Sequence, residues 1–215
     1  MVSARYAVRY LMDPLCGWCY GAAPAVQKLR NVPGVQLEIA PTGLFAGAGS
    51  RAMDADFAAY AWSNDERIES LTGQRFTPRY RSEVLGKHGQ RFDSGPATLA
   101  LTAVQRTAPE REFDALRAIQ EARYVDGLDT TDQTVLAELL RGLQLDAAAQ
   151  LLLQTDAALT TATRDRIADA QRDMQQLGAQ GVPALVLVGD QGRRLVRGNA
   201  LYGSLDSLLA QLQAS

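Results

Sequence analysis

The spacing of apolar residues changes period several times along the chain, and each change marks an element. From Arg5 to Asp13, "RYAVRYLMD" alternates polar and apolar residues, with Tyr6, Val8 and Tyr10 on one side. That pattern predicts a half-buried strand. From Gly17 to Arg30 the period turns helical, with Ala22, Val26 and Leu29 four and three apart, and Pro24 inside the segment predicts a kink. Asn31–Gly34 reads as a turn, and Val35–Gly43 alternates again through Val35, Leu37 and Ile39. Strand, helix and strand in this order predict a crossover that leaves the two strands parallel.

A long helical middle follows. Met53–Leu71 is weakly amphipathic. Asp93–Thr107 is a clearer helix, with Asp93 or Ser94 as its cap and Pro96 in its first turn. The next helix begins at Pro109, buries Phe113, Leu116 and Ile119, and ends near Gly127. Leu136, Leu139, Leu140 and Leu143 line up on another, and Asp146 opens a short one through Leu151 and Leu152. The last, Thr163–Gly178, places Ile167, Ala170, Met174 and Leu177 on one side. Short loops predict that these helices pack as neighbours.

The period then becomes continuous. Pro183–Gly189, "PALVLVG", reads as a buried strand, Asp190–Gly192 as a tight turn, and Arg193–Gly198 as the returning strand of a hairpin. A final helix shows Leu205, Leu208, Leu209 and Leu212 on one face, with Ser204 as its cap and Asn199 as an earlier candidate. The order is β-α-β, a helical block, then α-β-β-α. The block, about 125 residues, is too long for a crossover connection. It reads as an inserted helical subdomain, residues 49–177, in a discontinuous α/β domain made of 1–48 and 178–215, with the helix 165–177 at the junction.

Composition narrows the picture. At 215 residues, 47% apolar and 21% charged, the chain can bury a stable core without disulfides. A net charge of −2 gives no pull toward nucleic acid or an anionic membrane. The most positive local stretch, Pro78–Arg91, reads as a solvated face. Arg5 and Arg9 interrupt the opening apolar residues, so no signal peptide is expected, and no apolar run reaches the 18 residues of a membrane span. The expectation is a soluble, cytoplasmic protein with no nucleic-acid or membrane partner.

Both cysteines of the chain, Cys16 and Cys19, lie in "DPLCGWCYG", between the first strand and the first helix. A zinc site needs three or four protein ligands. The chain adds only His88, in a polar stretch that reads as an exposed loop. No metal is expected. A structural disulfide across two residues would constrain the unfolded chain little. A redox pair fits the place better. A helix N-terminus carries unpaired N–H groups that favour a thiolate, so Cys16 is expected to be an exposed, low-pKa nucleophile. Cys19, one turn on, is expected to be shielded and able to resolve a mixed disulfide. Asp13 reads as a strand-ending residue before Pro14, or else as a carboxylate that influences thiol protonation. Trp18 reads equally as a core cap or as a substrate contact.

"DPLCGWCYG" with its helix, Pro24 five residues after the second cysteine, and "GVPALVLVG" (Gly181–Gly189) resemble the signatures of the DsbA-like branch of the thioredoxin superfamily, in particular its FrnE-type, protein-disulfide isomerase-like group. "ARYVDGLDTTDQTVLAELLRGLQLD" resembles helical-insert segments of that group. The resemblance covers nearly the whole chain and is weakest from Gly47 to Phe92. It implies a thioredoxin-like α/β fold with a large α-helical insertion, and a thiol-disulfide oxidoreductase or isomerase. Cys16 would attack and Cys19 resolve. Pro183 would be cis, and Val182 would offer backbone groups to an extended substrate, with Trp18 beside them. No cofactor beyond the Cys16–Cys19 disulfide is implied. Substrates would be protein or small-molecule disulfides, and the electron donor glutathione or a thioredoxin-type protein. DsbA carries a histidine where this chain has Trp18, so a less oxidising pair is expected. Two other functions share the scaffold: a glutathione-dependent enzyme of the kappa transferase or hydroxychromene-carboxylate isomerase type, which uses one serine or cysteine, and a chaperone-like peptide-binding module.

Overall fold

The computed structural model describes residues 6–189 and 192–213. Its elements are β1 (Tyr6–Met12), α1 (Gly17–Arg30), β2 (Val35–Pro41), β3 (Arg51–Ala52), α2 (Ala55–Thr72), α3 (Pro78–Tyr80, continued by a π turn over Arg81–Leu85), β4 (Arg91–Phe92), α4 (Gly95–Thr107), α5 (Glu112–Tyr124), α6 (Gln133–Gly142), α7 (Asp146–Leu153), α8 (Ala157–Leu177), β5 (Ala184–Gly189), β6 (Gly192–Val196) and α9 (Leu205–Gln213). The main sheet has the order β2-β1-β5-β6. β1 and β2 run parallel, from Tyr6 opposite Val35 to Met12 opposite Pro41, as a crossover through α1 requires. β5 runs antiparallel to both β1 and β6. Of the turn expected at Asp190–Gly192, Asp190 and Gln191 lie outside the described residues.

The helices follow their caps. Asp54, Asp132 and Asp156 each accept a backbone N–H from the first turn of α2, α6 and α8. The Asp156 cap starts α8 six residues earlier than the apolar pattern suggests, because its opening turns carry threonines and alanines rather than a stripe of large residues. β3 and β4 form a two-residue antiparallel ladder, too short to leave an alternation in sequence.

The expected alternation of β1 fails in the structure. Val8 and Tyr10 are buried, but so are Arg9 and Leu11. β1 is an inner strand covered on both faces. One face joins the main core, which runs without a break from α1 into α2, α4, α5, α6 and α7. The other meets α8, where Leu11, Ala40, Ala170, Ala184 and Val186 form a second cluster. Arg9 is tolerated there because Asp173 and Asp169 of α8 and Glu38 of β2 surround its guanidinium.

Candidate active site

β1 ends at Met12, and its continuation to α1 is a short buried loop organised by one carboxylate. Asp13 is fully buried; it accepts hydrogen bonds from the Leu15 N–H (2.9 Å), the Phe45 N–H (3.1 Å) and the Ser94 hydroxyl (2.7 Å). The Asp13 carbonyl also accepts the Cys16 N–H at 3.1 Å. Asp13 is therefore more than a strand-ending residue: it ties the CxxC loop to the loop after β2 and to the start of α4. Burial raises its carboxyl above the usual carboxylate range, and those three hydrogen bonds work against the rise. Ser94, expected to cap α4, spends its side chain on Asp13 instead, while Asp93 accepts the Gly95 N–H.

Cys16 is the N-cap residue of α1, and Cys19 lies in its first turn. Both sulfurs are free thiols. The expectation of an exposed Cys16 is corrected: it is only 7% exposed, and Cys19 is fully buried. Cys16 is covered because the loop before β5 closes over it. The Val182–Pro183 peptide bond in that loop is cis, and the Cys16 thiol donates to the Val182 carbonyl at 3.8 Å. The close approach extends to residue 198, where a Cβ would stand 1.8 Å from the Pro183 carbonyl oxygen, so only glycine fits. Burial pushes the Cys19 thiol well above its ordinary range, and the adjacent Cys16 sulfur adds to the rise.

Three tyrosines hold the carbonyls of this turn. Tyr124 donates to Leu15 (2.8 Å), Tyr202 to Trp18 (2.7 Å) and Tyr10 to Cys19 (3.1 Å). Trp18 is half-buried, edge-on to Tyr202 and under the Arg67 guanidinium. It thus separates two hollows. One is a cleft of about 600 Å³ whose wall includes Trp18, Arg67, Val182, Pro183, Arg197 and Tyr202. The other is a cavity of about 130 Å³ between Cys16 and the aromatic residues of α2, α3 and α5. The structure therefore brings Cys16, Cys19, Trp18, Val182 and Pro183 to one place. His88 is exposed in the loop before β4. Among the described residues no group of three or more His, Cys, Asp or Glu could hold a metal ion, and no helix is long and apolar enough to cross a membrane.

Sequence reading missed Asp65. It is 4% exposed on α2 and lines the smaller cavity with Cys16. A Cβ at Gly17 would stand 2.6 Å from its Oδ1, and Tyr80 donates to its Oδ2 at 3.1 Å. The available signal was an acid within the stripe Ala58, Ala61, Asp65, Ile68, at spacings of three, four and three.

Comparison with known proteins agrees with this geometry. The family model of the DSBA-like thioredoxin domain matches residues 7–210. The cytosolic disulfide reductase DsbM from Pseudomonas aeruginosa is 31% identical, with 97% of this chain and 100% of that one covered at a TM-score of 0.84. The same reductase solved with GSH aligns at 30% identity, 97% and 100% coverage and a TM-score of 0.82. A 2-hydroxychromene-2-carboxylate isomerase shares the fold at 17% identity, covering 96% of each chain with a TM-score of 0.64. No curated protein matches the chain.

Proposed function

The chain belongs to the DSBA-like thioredoxin domain family, and from that premise we propose that it is a dithiol–disulfide oxidoreductase that reduces disulfides at the expense of a small thiol. The observation that carries the reading is the placement of Cys16 at the N-cap of α1, against Val182, with a fully buried Cys19 one turn behind it. Cys16, as thiolate, attacks one sulfur of a disulfide R–S–S–R′. The S–S bond breaks and R′S⁻ leaves with its electron pair, to be protonated. Cys19 then loses its proton and attacks the Cys16 sulfur, releasing RS⁻ and leaving the Cys16–Cys19 disulfide. Two molecules of a thiol such as glutathione reduce that disulfide again and become one disulfide. The high proton affinity that burial gives Cys19 suits it to the second step: it stays a thiol until a mixed disulfide forms beside it.

The cleft beside Trp18 is the proposed seat of the thiol donor. Glutathione carries two carboxylates, and the cleft wall holds Arg67 and Arg197, neither of which has an acidic partner within ion-pair distance among the described residues. The relative solved with GSH supports this choice of donor. The retention of both thiols disfavours the transferase and isomerase reading, which needs one nucleophile.

The test is disulfide reductase activity with glutathione as donor. Cys16→Ser is expected to lose it entirely. Cys19→Ser is expected to accumulate a mixed disulfide on Cys16 that mass spectrometry detects. Full activity in both variants would refute the reading. A redox titration of the pair against glutathione sets the direction: a potential near or moderately above the glutathione poise lets glutathione recharge the pair and supports the reading, one well below it rules glutathione out as the donor, and one far above it supports an oxidase or isomerase.

A further inference from the structure

Behind the thiols lies a buried set of charges that the reaction above does not use. It contains one cation, Arg123 of α5, which is 1% exposed and lies 5.2 Å from the Phe92 ring centre and 5.7 Å from that of Tyr80. It contains two carboxyl groups, Asp13 and Asp65, and both feel the Arg123 charge. One cation can balance only one of them, and an unbalanced buried carboxylate takes up a proton instead. The hydrogen bonds decide which. Asp13 accepts three, two of them from backbone N–H groups, whereas Asp65 accepts one, from Tyr80. Charge therefore settles on Asp13, and Asp65 is the carboxyl left to hold the proton.

Asp65 is also the one of the two pressed against the stretch between the cysteines. Its Oδ1 packs on Gly17, where a side chain of any size would collide with it. It lines with Cys16 a small cavity walled largely by aromatic rings, and at 4% exposure its own carboxyl is poorly screened by water.

We infer that Asp65, held by Tyr80 against the backbone of Gly17, is a charge switch on Cys16: with its proton it leaves the sulfur free to carry an anion, and without it opposes that anion. Asp65 is a positioning residue in this scheme, acting through Cys16. Burial pushes its carboxyl up to about 7, opposed by the Tyr80 hydrogen bond and then by Arg123, so the switch falls within the physiological range. The other titratable or charged groups around it are Cys16 from α1, Tyr60 on its own helix, Tyr80 from α3, Arg123 and Tyr124 from α5, and Asp13 at the end of β1. Burial holds the Tyr80 and Tyr124 hydroxyls well above their ordinary range, far from neutrality.

The inference rests on Cys16 being the attacking thiol, and its test needs no turnover. The rate at which iodoacetamide alkylates Cys16 in the reduced full-length chain is measured from pH 5 to 10, with the site identified by peptide mass spectrometry. The wild type is expected to show an inflection near neutrality in addition to that of the thiol. Asp65→Asn is expected to lose that inflection and to react about fivefold faster above pH 8. Tyr80→Phe removes the bond that favours the ionised carboxylate, so the inflection should move to higher pH. Superimposable profiles for wild type and Asp65→Asn would overturn the inference, as would a uniform rate change at every pH. If Asp65→Asn does not fold, Tyr80→Phe decides alone: an unmoved inflection overturns the switch. Failure of disulfide reduction with an intact alkylation switch would instead count against the proposed function.

Discussion

At the residue scale, the two positions between the cysteines do different work. Gly17 is a packing requirement. A Cβ there would stand 2.6 Å from Asp65 Oδ1 and 3.2 Å from Ile68 Cδ1, and both partners are buried. Gly17→Ala is therefore expected to displace α2 locally and cost about 1–3 kcal/mol in urea unfolding. Unchanged stability would show that the contact yields freely. Trp18, by contrast, forms a wall between two hollows, so its two sequence readings merge: one edge caps Tyr202 and the other meets the cleft. Asp65 gives a second residue-scale prediction with a definite sign. Its folded-state value of about 7 lies above the roughly 3.9 of an unfolded aspartate. Its contribution to stability is thus fully present below about pH 4 and lost as pH rises through about 7, a swing on the order of 4 kcal/mol. Asp65→Asn cannot ionise, so its melting temperature should overtake that of the wild type between pH 5 and pH 8. A constant difference across that range would mean that Asp65 is not the titrating group.

At the element scale, the strands and helices of the thiol layer were legible and the reason for one burial was not. The bounds of α1 and the parallel pairing of β1 with β2 follow from period and turn residues alone. That the loop of the distant "GVPA" would meet the CxxC was implied by the family resemblance of the two stretches, and spacing alone did not show it. What alternation could not show is that β1 would be covered twice, since the second cover, α8, arrives more than 140 residues later and brings its own acids. Nor could it reveal Asp65, whose partners Tyr80 and Arg123 come from two other helices. The Arg9–Asp173 contact between β1 and α8 is the joint where this matters. Asp173 is fully buried and bonds both Arg9 and Arg193. Asp173→Asn would leave Arg9 with Asp169 and the largely exposed Glu38, and should cost about 3–5 kcal/mol in denaturant unfolding. A loss below about 1 kcal/mol would show that Asp169 and Glu38 suffice.

At the scale of the whole molecule, the question is whether the helical segment behaves as a unit apart. The sequence reading separates residues 49–177 from an α/β domain on the grounds of length and periodicity. The packing argues that the two segments share stability. Cys19 and Tyr20 of α1 lie in the same buried cluster as Ile68, Phe76 and Tyr124, and Leu29 in the same cluster as Phe113. Tyr20 stacks on Tyr124 with ring centres 4.8 Å apart, and Tyr124 in turn holds the Leu15 carbonyl. Removing the helices would strip one whole face of α1, and an apolar face of that size has no stable existence in water. The two tryptophans allow a direct check, since Trp18 sits in α1 and Trp62 in α2. Trp18→Phe leaves a reporter in the helical segment, and Trp62→Phe leaves one in the thiol layer. Each variant is compared with itself by fluorescence and by far-ultraviolet circular dichroism in urea. Both should show one transition, with the two probes coincident within each variant. A midpoint for the Trp62 signal well apart from the circular dichroism midpoint would mean that the segment unfolds on its own. The redox site would then be assembled from two independently stable parts, and Asp65 could leave Cys16 without the thiol layer melting. Coincident transitions would instead mean that the acid and the thiol are bound into one cooperative structure, so that the Asp65 carboxyl stays beside Cys16 for as long as the fold persists.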